Sequence, residues 1–174
     1  MHRVFERIGE FGQGYSASLL TKDILLLLLN QYPLAWISIL LESFQICPLI
    51  AIIRGSQQMD LDAAVFSLWD GGISWVEITL PTPGALRAVT RLSAAVPAGC
   101  RVGVGTVTDE KSARAALDAG AQFLVTPTFD HQVVELAVSR GLPVFPGAYT
   151  PTEILTAWRA GATAVKIFRA EQLG

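Results

Sequence analysis

The stretch GLPVFPGAYTPTEILTAWRAGATAVKIF, Gly141 to Phe168, decides how this chain is read. Its first apolar run, PVFPGAY from Pro143, is β-rich and leads into a helix-start signature. Thr150 stands at the capping position, Pro151 at the first helical position, and Glu153 where a capping box needs it. An amphipathic stretch follows, and Gly161 falls where that helix should stop, because glycine accepts the left-handed conformation that closes a helix. A second apolar run, AVKIF from Ala164, comes next. Strand, loop, helix, glycine and strand in that order make one β/α unit.

The same unit recurs upstream. The runs LIAIIR from Leu49, WVEITL from Trp75, RVGVGTV from Arg101 and FLVTPT from Phe123 are each bracketed by helical periodicity. Such continuous apolar runs are the mark of strands buried on both faces, and so of a parallel sheet. Gly72, Gly120 and Gly141 occupy the helix-stop position just before a strand, and Thr82-Pro83 reads as a further helix start. Units of about twenty to twenty-five residues fit either a doubly wound sheet or an eight-stranded barrel, and periodicity leaves that choice open. Six strands follow Leu49, two short of a closed (β/α)8 barrel.

Composition narrows the function. With 174 residues, 51% of them apolar, the chain has material for one core of ordinary size. A net charge of −2 and scattered arginines form no basic stripe, so no nucleic-acid partner is expected and a small solute is. Cys47, Cys100, His2 and His131 supply neither a zinc spacing nor a disulfide framework, which points to a reducing cytoplasm and no structural metal. The apolar runs Ile24–Leu29 and Leu34–Leu41 are split by Asn30, Gln31 and Pro33. That break argues against a bilayer span, which needs about twenty apolar residues in sequence. Residues 1–45 read as a partly helical leader of uncertain status, and residues 46–174 as the domain.

Charge inside a buried strand is the first place to look for chemistry, because an unpaired buried charge costs several kcal/mol. Arg54 ends the first strand, Glu77 lies inside the second and Lys166 inside the sixth. In a water-poor site the neutral lysine amine is favoured, and it can attack a carbonyl carbon to form an imine. Glu77 at a comparable depth would move protons as the imine forms and reacts. A structural ion pair accounts for these two residues equally well on spacing alone. Thr106 and Thr126-Pro127 stand at strand ends where barrel sites gather, and simple turn chemistry is as good a reading of them. Gly103-Val104-Gly105-Thr106 lacks the third glycine of a dinucleotide fingerprint and is assigned to close packing or substrate approach. His131 reads as a surface or capping residue, and Trp69, Trp75 and Trp158 as packing residues.

Taken together, PLIAIIRG, GGISWVEITL, VGVGTV, GAQFLVTPTF, GLPVFPGAYTPTEI and GATAVKIF resemble the class I aldolases of 2-keto-3-deoxy-6-phosphogluconate (KDPG) and its galactonate epimer. The resemblance runs from about Pro48 to Gly174. It implies an α/β fold of the (β/α)8 TIM-barrel family with about six of eight β/α units present, truncated at the C-terminal side and preceded by the apolar leader. It also implies cleavage of a 2-keto-3-deoxy-6-phospho sugar acid to pyruvate and glyceraldehyde 3-phosphate through a lysine Schiff base, or a related reaction on 4-hydroxy-2-oxoglutarate. No cofactor is implied, and the expected assembly is a homotrimer. By position Lys166 resembles the imine-forming lysine and Glu77 the general acid/base. Arg54 and Thr106 resemble the substrate-binding arginine and threonine, and Thr126, Pro127 and Phe168 the lining of the pyruvate pocket. After VEITL this chain has Pro81 where gluconate-type members carry an arginine, and after KIF it has Arg169 where the family carries proline. The competing expectations are a non-catalytic remnant that folds only with a partner, and another phosphate-binding barrel enzyme.

Overall fold

The computed structural model describes residues 49–168 and residue 170; the leader read over residues 1–45, and Arg169, lie outside the described residues. Elements alternate without exception up to the fifth strand. They run β1 Ile50–Ile53, α1 Leu61–Asp70, β2 Trp75–Thr79, α2 Ala85–Ala94, β3 Arg101–Gly105, α3 Glu110–Asp118, β4 Leu124–Val125, α4 His131–Ser139 and β5 Val144–Phe145. Then come β6 Gly147–Ala148, α5 Pro151–Arg159 and β7 Lys166–Ile167. Among the described residues the paired strands are all parallel, in the order β1-β2-β3-β4-β5 and, separately, β6-β7.

That sequential order resolves the choice left open by periodicity. Ala51, Ile53, Val76, Ile78, Val102, Val104, Leu124 and Val144 form one core with the buried sides of α1 to α4. The alternate strand positions Ile50, Trp75, Phe123, Val125 and Phe145 form a second cluster that no helix enters. Side chains along a strand alternate between faces, so the helices cover one face and leave the other as an interior. Each crossover steps to the adjacent strand on the same side, which is the winding of a barrel wall and not of a doubly wound sheet. On the interior face Trp75, Phe123 and Phe145 pack at centroid separations of 5.0, 6.0 and 5.9 Å. Such pairs contribute about 0.5–1.5 kcal/mol each beyond simple burial.

The run PVFPGAY forms two short strands instead of one. Thr126 N donates to the Phe145 carbonyl (3.2 Å), and there the ladder with β4 ends, because the next amide on that edge, Gly147 N, turns to the Thr126 hydroxyl. The Pro146 carbonyl then accepts from Lys166 N (2.9 Å), and pairing passes to β7 with Gly147 opposite Lys166 and Ala148 opposite Ile167. Ala148, Ala157, Ala162 and Val165 make a small core of their own beneath this pair.

Helix ends follow the sequence in all but one case. Asp60, Asp109, Asp130 and Thr150 cap α1, α3, α4 and α5, each accepting from a backbone N–H in the first turn. The box at Thr150 is complete, with Glu153 accepting from Thr150 N at 2.8 Å. Gly72, Gly120, Gly141 and Gly161 all have positive φ, as the stop reading requires. The exception is Thr82-Pro83: α2 is capped instead by Gly84 in a left-handed conformation with no side-chain cap. The Thr82 side chain is turned the other way, into the protein. Replacing Thr150 by alanine is expected to lower stability by about 1 kcal/mol, read as a denaturant midpoint shift that Thr150→Ser does not produce.

Candidate functional site

Of the three strand charges, the fold treats each differently. Glu77 is 2% exposed on the interior face of β2, in register between Ile52 of β1 and Gly103 of β3. Lys166 is half-buried on β7, and Arg54, just past the end of β1, is exposed. Burial pushes the Glu77 carboxyl above the ordinary glutamate value, while the charges of Lys166 and then Arg54 pull it back down. The lysine and the arginine thus both act on this carboxylate from separate β/α units.

What makes room for the carboxylate is Gly105. A Cβ on that residue would fall 1.6 Å from Glu77 Oε1, so no other residue fits beside the acid as it stands. Gly103 has the same role a layer deeper, where a Cβ would meet the Phe123 ring at 2.5 Å. The GVG pattern is therefore close packing on the interior face: two bare positions on β3 admit a carboxylate from β2 and an aromatic ring from β4.

The next residue, Thr106, is half-buried and has φ 59. A β-branched residue in the left-handed region carries about 1–2 kcal/mol of backbone strain. It is held there from both sides, since Leu80 N donates to the Gly105 carbonyl (2.9 Å) and Val107 N to the Val125 carbonyl (3.3 Å).

Thr126 is 1% exposed, and its hydroxyl is occupied within the fold. It donates to the Thr128 carbonyl and accepts from Gly147 N at 3.4 Å, taking a backbone N–H where the β4–β5 ladder ends. Pro127 is half-buried, and its carbonyl lies where a Cβ on Gly147 would be 2.1 Å away. The end of β4 is thereby pressed onto the residue that pairs with Lys166. On β7 itself Lys166 Nζ stands 5.2 Å from the centroid of the Phe168 ring, which is 40% exposed. Residues two apart on a strand share a face.

Two buried polar residues escape a reading of the sequence. Thr79, 0% exposed, and Thr82, 3% exposed, face each other at 3.0 Å between hydroxyl oxygens. Thr82 Oγ1 also accepts from Gly55 N at 3.2 Å. Thr79 carries a usable signal, being two residues beyond Glu77 on a buried strand; Thr82 carries none, because a threonine before proline looks like a helix start. His131 is exposed at the start of α4, with Nδ1 3.6 Å from Glu135 Oε2, apart from the residues above. Among the described residues no group of three acidic, histidine or cysteine side chains is placed to hold a metal ion, and no helix is long and apolar enough to cross a membrane.

Comparison with known proteins agrees with this geometry. The family model for KDPG and KHG aldolase matches residues 40–174. A probable 2-dehydro-3-deoxy-6-phosphogalactonate aldolase of Rhizobium meliloti is 37% identical over 127 residues, which are 73% of this chain and 60% of that protein. This chain therefore spans about three fifths of the length of the curated relatives it matches. Among solved structures, native KDPGal is 36% identical with TM-score 0.67, over 72% of this chain and 61% of that one. KDPG aldolase from Legionella pneumophila, with pyruvate captured at low pH as a covalent carbinolamine, is 27% identical with TM-score 0.64, over 76% and 64%. By the extent of the family match and the identity to these relatives, the chain belongs to the KDPG and KHG aldolase family.

Proposed function

We propose that this chain is a class I aldolase that splits a 2-keto-3-deoxy-6-phospho sugar acid into pyruvate and glyceraldehyde 3-phosphate through an imine on Lys166. The observation that carries the reading is the convergence of Lys166 and Arg54 on the buried Glu77 carboxylate. Catalysis of this kind needs one amine, one acid that can both take and hold a proton, and one cation for the substrate carboxylate.

In this scheme the Lys166 amine adds to the substrate C2 carbonyl, and loss of water leaves an iminium. Glu77 as carboxylate takes the C4 hydroxyl proton through a water. The C3–C4 pair moves toward the iminium nitrogen, giving an enamine and releasing glyceraldehyde 3-phosphate. The proton returns from Glu77 to C3, and water hydrolyses the imine to free pyruvate and the lysine. Burial supports the second half of that cycle, since a carboxyl pushed upward retains a proton long enough to return it. Arg54 is assigned to the substrate carboxylate and Thr106 to a substrate oxygen. Pro127 and Phe168 border the pyruvate methyl, and Thr126 shapes that border through the backbone it holds. A homotrimer in the cytoplasm completes the reading, as the family resemblance implies.

Four outcomes test it. Borohydride with pyruvate is expected to label Lys166, and peptide mapping that finds no label there in folded protein would reject the assignment. Replacing Glu77 by glutamine is expected to lower kcat by about a hundred- to ten-thousand-fold. The same change should stabilise. A carboxyl raised above 4.5 contributes stability fully present below that pH and lost as pH rises through its folded value. At neutral pH the amide is thus expected to raise the melting temperature by a few degrees, on the order of 1 kcal/mol, with the gain vanishing below about pH 4.5. Gly105→Ala is expected to displace the acid, lowering kcat/KM by about tenfold or more while costing about 1–3 kcal/mol of stability; unchanged kinetics in that variant would separate Glu77 from the chemistry.

A further inference from the structure

We infer that Thr82, backed by Thr79, is a positioning residue that holds Arg54 toward Glu77 by fixing the Gly55 backbone. The inference rests on the role given to Arg54 above and adds residues that touch no substrate. Arg54 is the last residue before a surface turn, between the end of β1 at Ile53 and the Asp60 cap of α1. Within that turn, Met59 N donates to the Ser56 carbonyl at 3.2 Å, a local bond that does not tie the turn to the sheet. The tie to the neighbouring β/α unit is Gly55 N to Thr82 Oγ1, across 27 residues of sequence, at 3.2 Å.

Thr82 is in turn fixed from three directions. Its backbone N donates to the Thr79 carbonyl (2.9 Å), its carbonyl accepts from Ala85 N (3.0 Å), and its hydroxyl meets that of Thr79 (3.0 Å). Both residues are almost wholly buried, the two hydroxyls share one hydrogen bond, and the Thr82 oxygen also accepts from Gly55 N. A buried hydroxyl retained at a strand end, where an apolar residue would pack with less demand, signals a geometric requirement. Thr79 lies two residues from Glu77 on β2, so the strand that carries the acid also anchors the turn that carries the arginine.

The consequence is measurable at Glu77, because Ile52, two residues before Arg54, is in register with Glu77, and the charges of Lys166 and Arg54 both act on its carboxyl. Glu77 is titrated by carbon-13 NMR in full-length wild type, Arg54→Gln, Thr82→Val, Thr82→Ser and the Arg54→Gln/Thr82→Val double variant. Arg54→Gln is expected to move the titration upward, and Thr82→Val to move it the same way by loosening the arginine. Thr82→Ser should titrate as wild type, and the double variant should go no further than Arg54→Gln. In turnover, Thr82→Val is expected to raise KM for the keto acid about three-fold or more with kcat held within about two-fold. A purely structural hydroxyl would lower melting temperature and leave the Glu77 titration alone, and that result, or full additivity in the double variant, overturns the inference. Should Thr82→Val fail to fold, Thr82→Cys, a weak acceptor of similar size, takes its place in the same comparison. The titration requires no turnover, so absence of retro-aldol activity in wild type would reject the aldolase reading while leaving this test intact.

Discussion

A carboxylate held in an interior from which water is largely removed is the constraint around which this structure is arranged. Glu77 is put there by strand alternation, admitted by the missing side chain of Gly105, and acted on by two cations from different β/α units, which oppose the effect of burial. Each condition alone is destabilising or neutral. Burial disfavours the charge, glycine weakens a strand, and Lys166 and Arg54 set two positive charges around one site. Together they leave a carboxyl whose proton affinity is raised by burial and drawn back by two cations.

The surrounding fold serves to bring distant residues to that point without bringing the helices in. Because the described crossovers return on the same side, the apolar faces of α1 to α4 are absorbed by one side of the sheet. The other side is left to a floor of Trp75, Phe123 and Phe145 below and the polar residues above. Division of labour between faces explains why strands that read as uniformly apolar still hold a glutamate and a lysine. The candidate site residues occupy positions near the C-terminal ends of the strands, where barrel-type folds gather their sites.

Much of this is visible in the residues themselves. Helix stops are legible because a left-handed turn demands glycine, and four of those glycines are where that demand is met. Glu77 and Lys166 are legible because charge in an apolar run must be explained. Less visible are effects that depend on which strand lies beside which. The split of PVFPGAY follows from Gly147 N bonding the Thr126 hydroxyl while the Pro146 carbonyl turns to Lys166 N, and neither partner is adjacent in sequence. Thr82 reads as a helix cap because its true partner, Gly55, lies 27 residues away. The role of the GVG glycines becomes specific only once Glu77 and Phe123 are known to flank them. The winding, open from periodicity, is settled by the one-sided distribution of helix contacts.

The change of partner after Phe145 has a mechanical corollary. The segment bearing Lys166 is held by a two-residue ladder with β6, by two hydrogen bonds between Thr163 and Val144, and by a small core that Phe129 and Ile154 flank, whereas Glu77 belongs to a five-stranded sheet with a large core. Cooperative units of such unequal size separate at different free energies. Mild heat or denaturant should therefore part Lys166 from Glu77 before the larger core opens, so that this juxtaposition, not the scaffold, is the first thing lost.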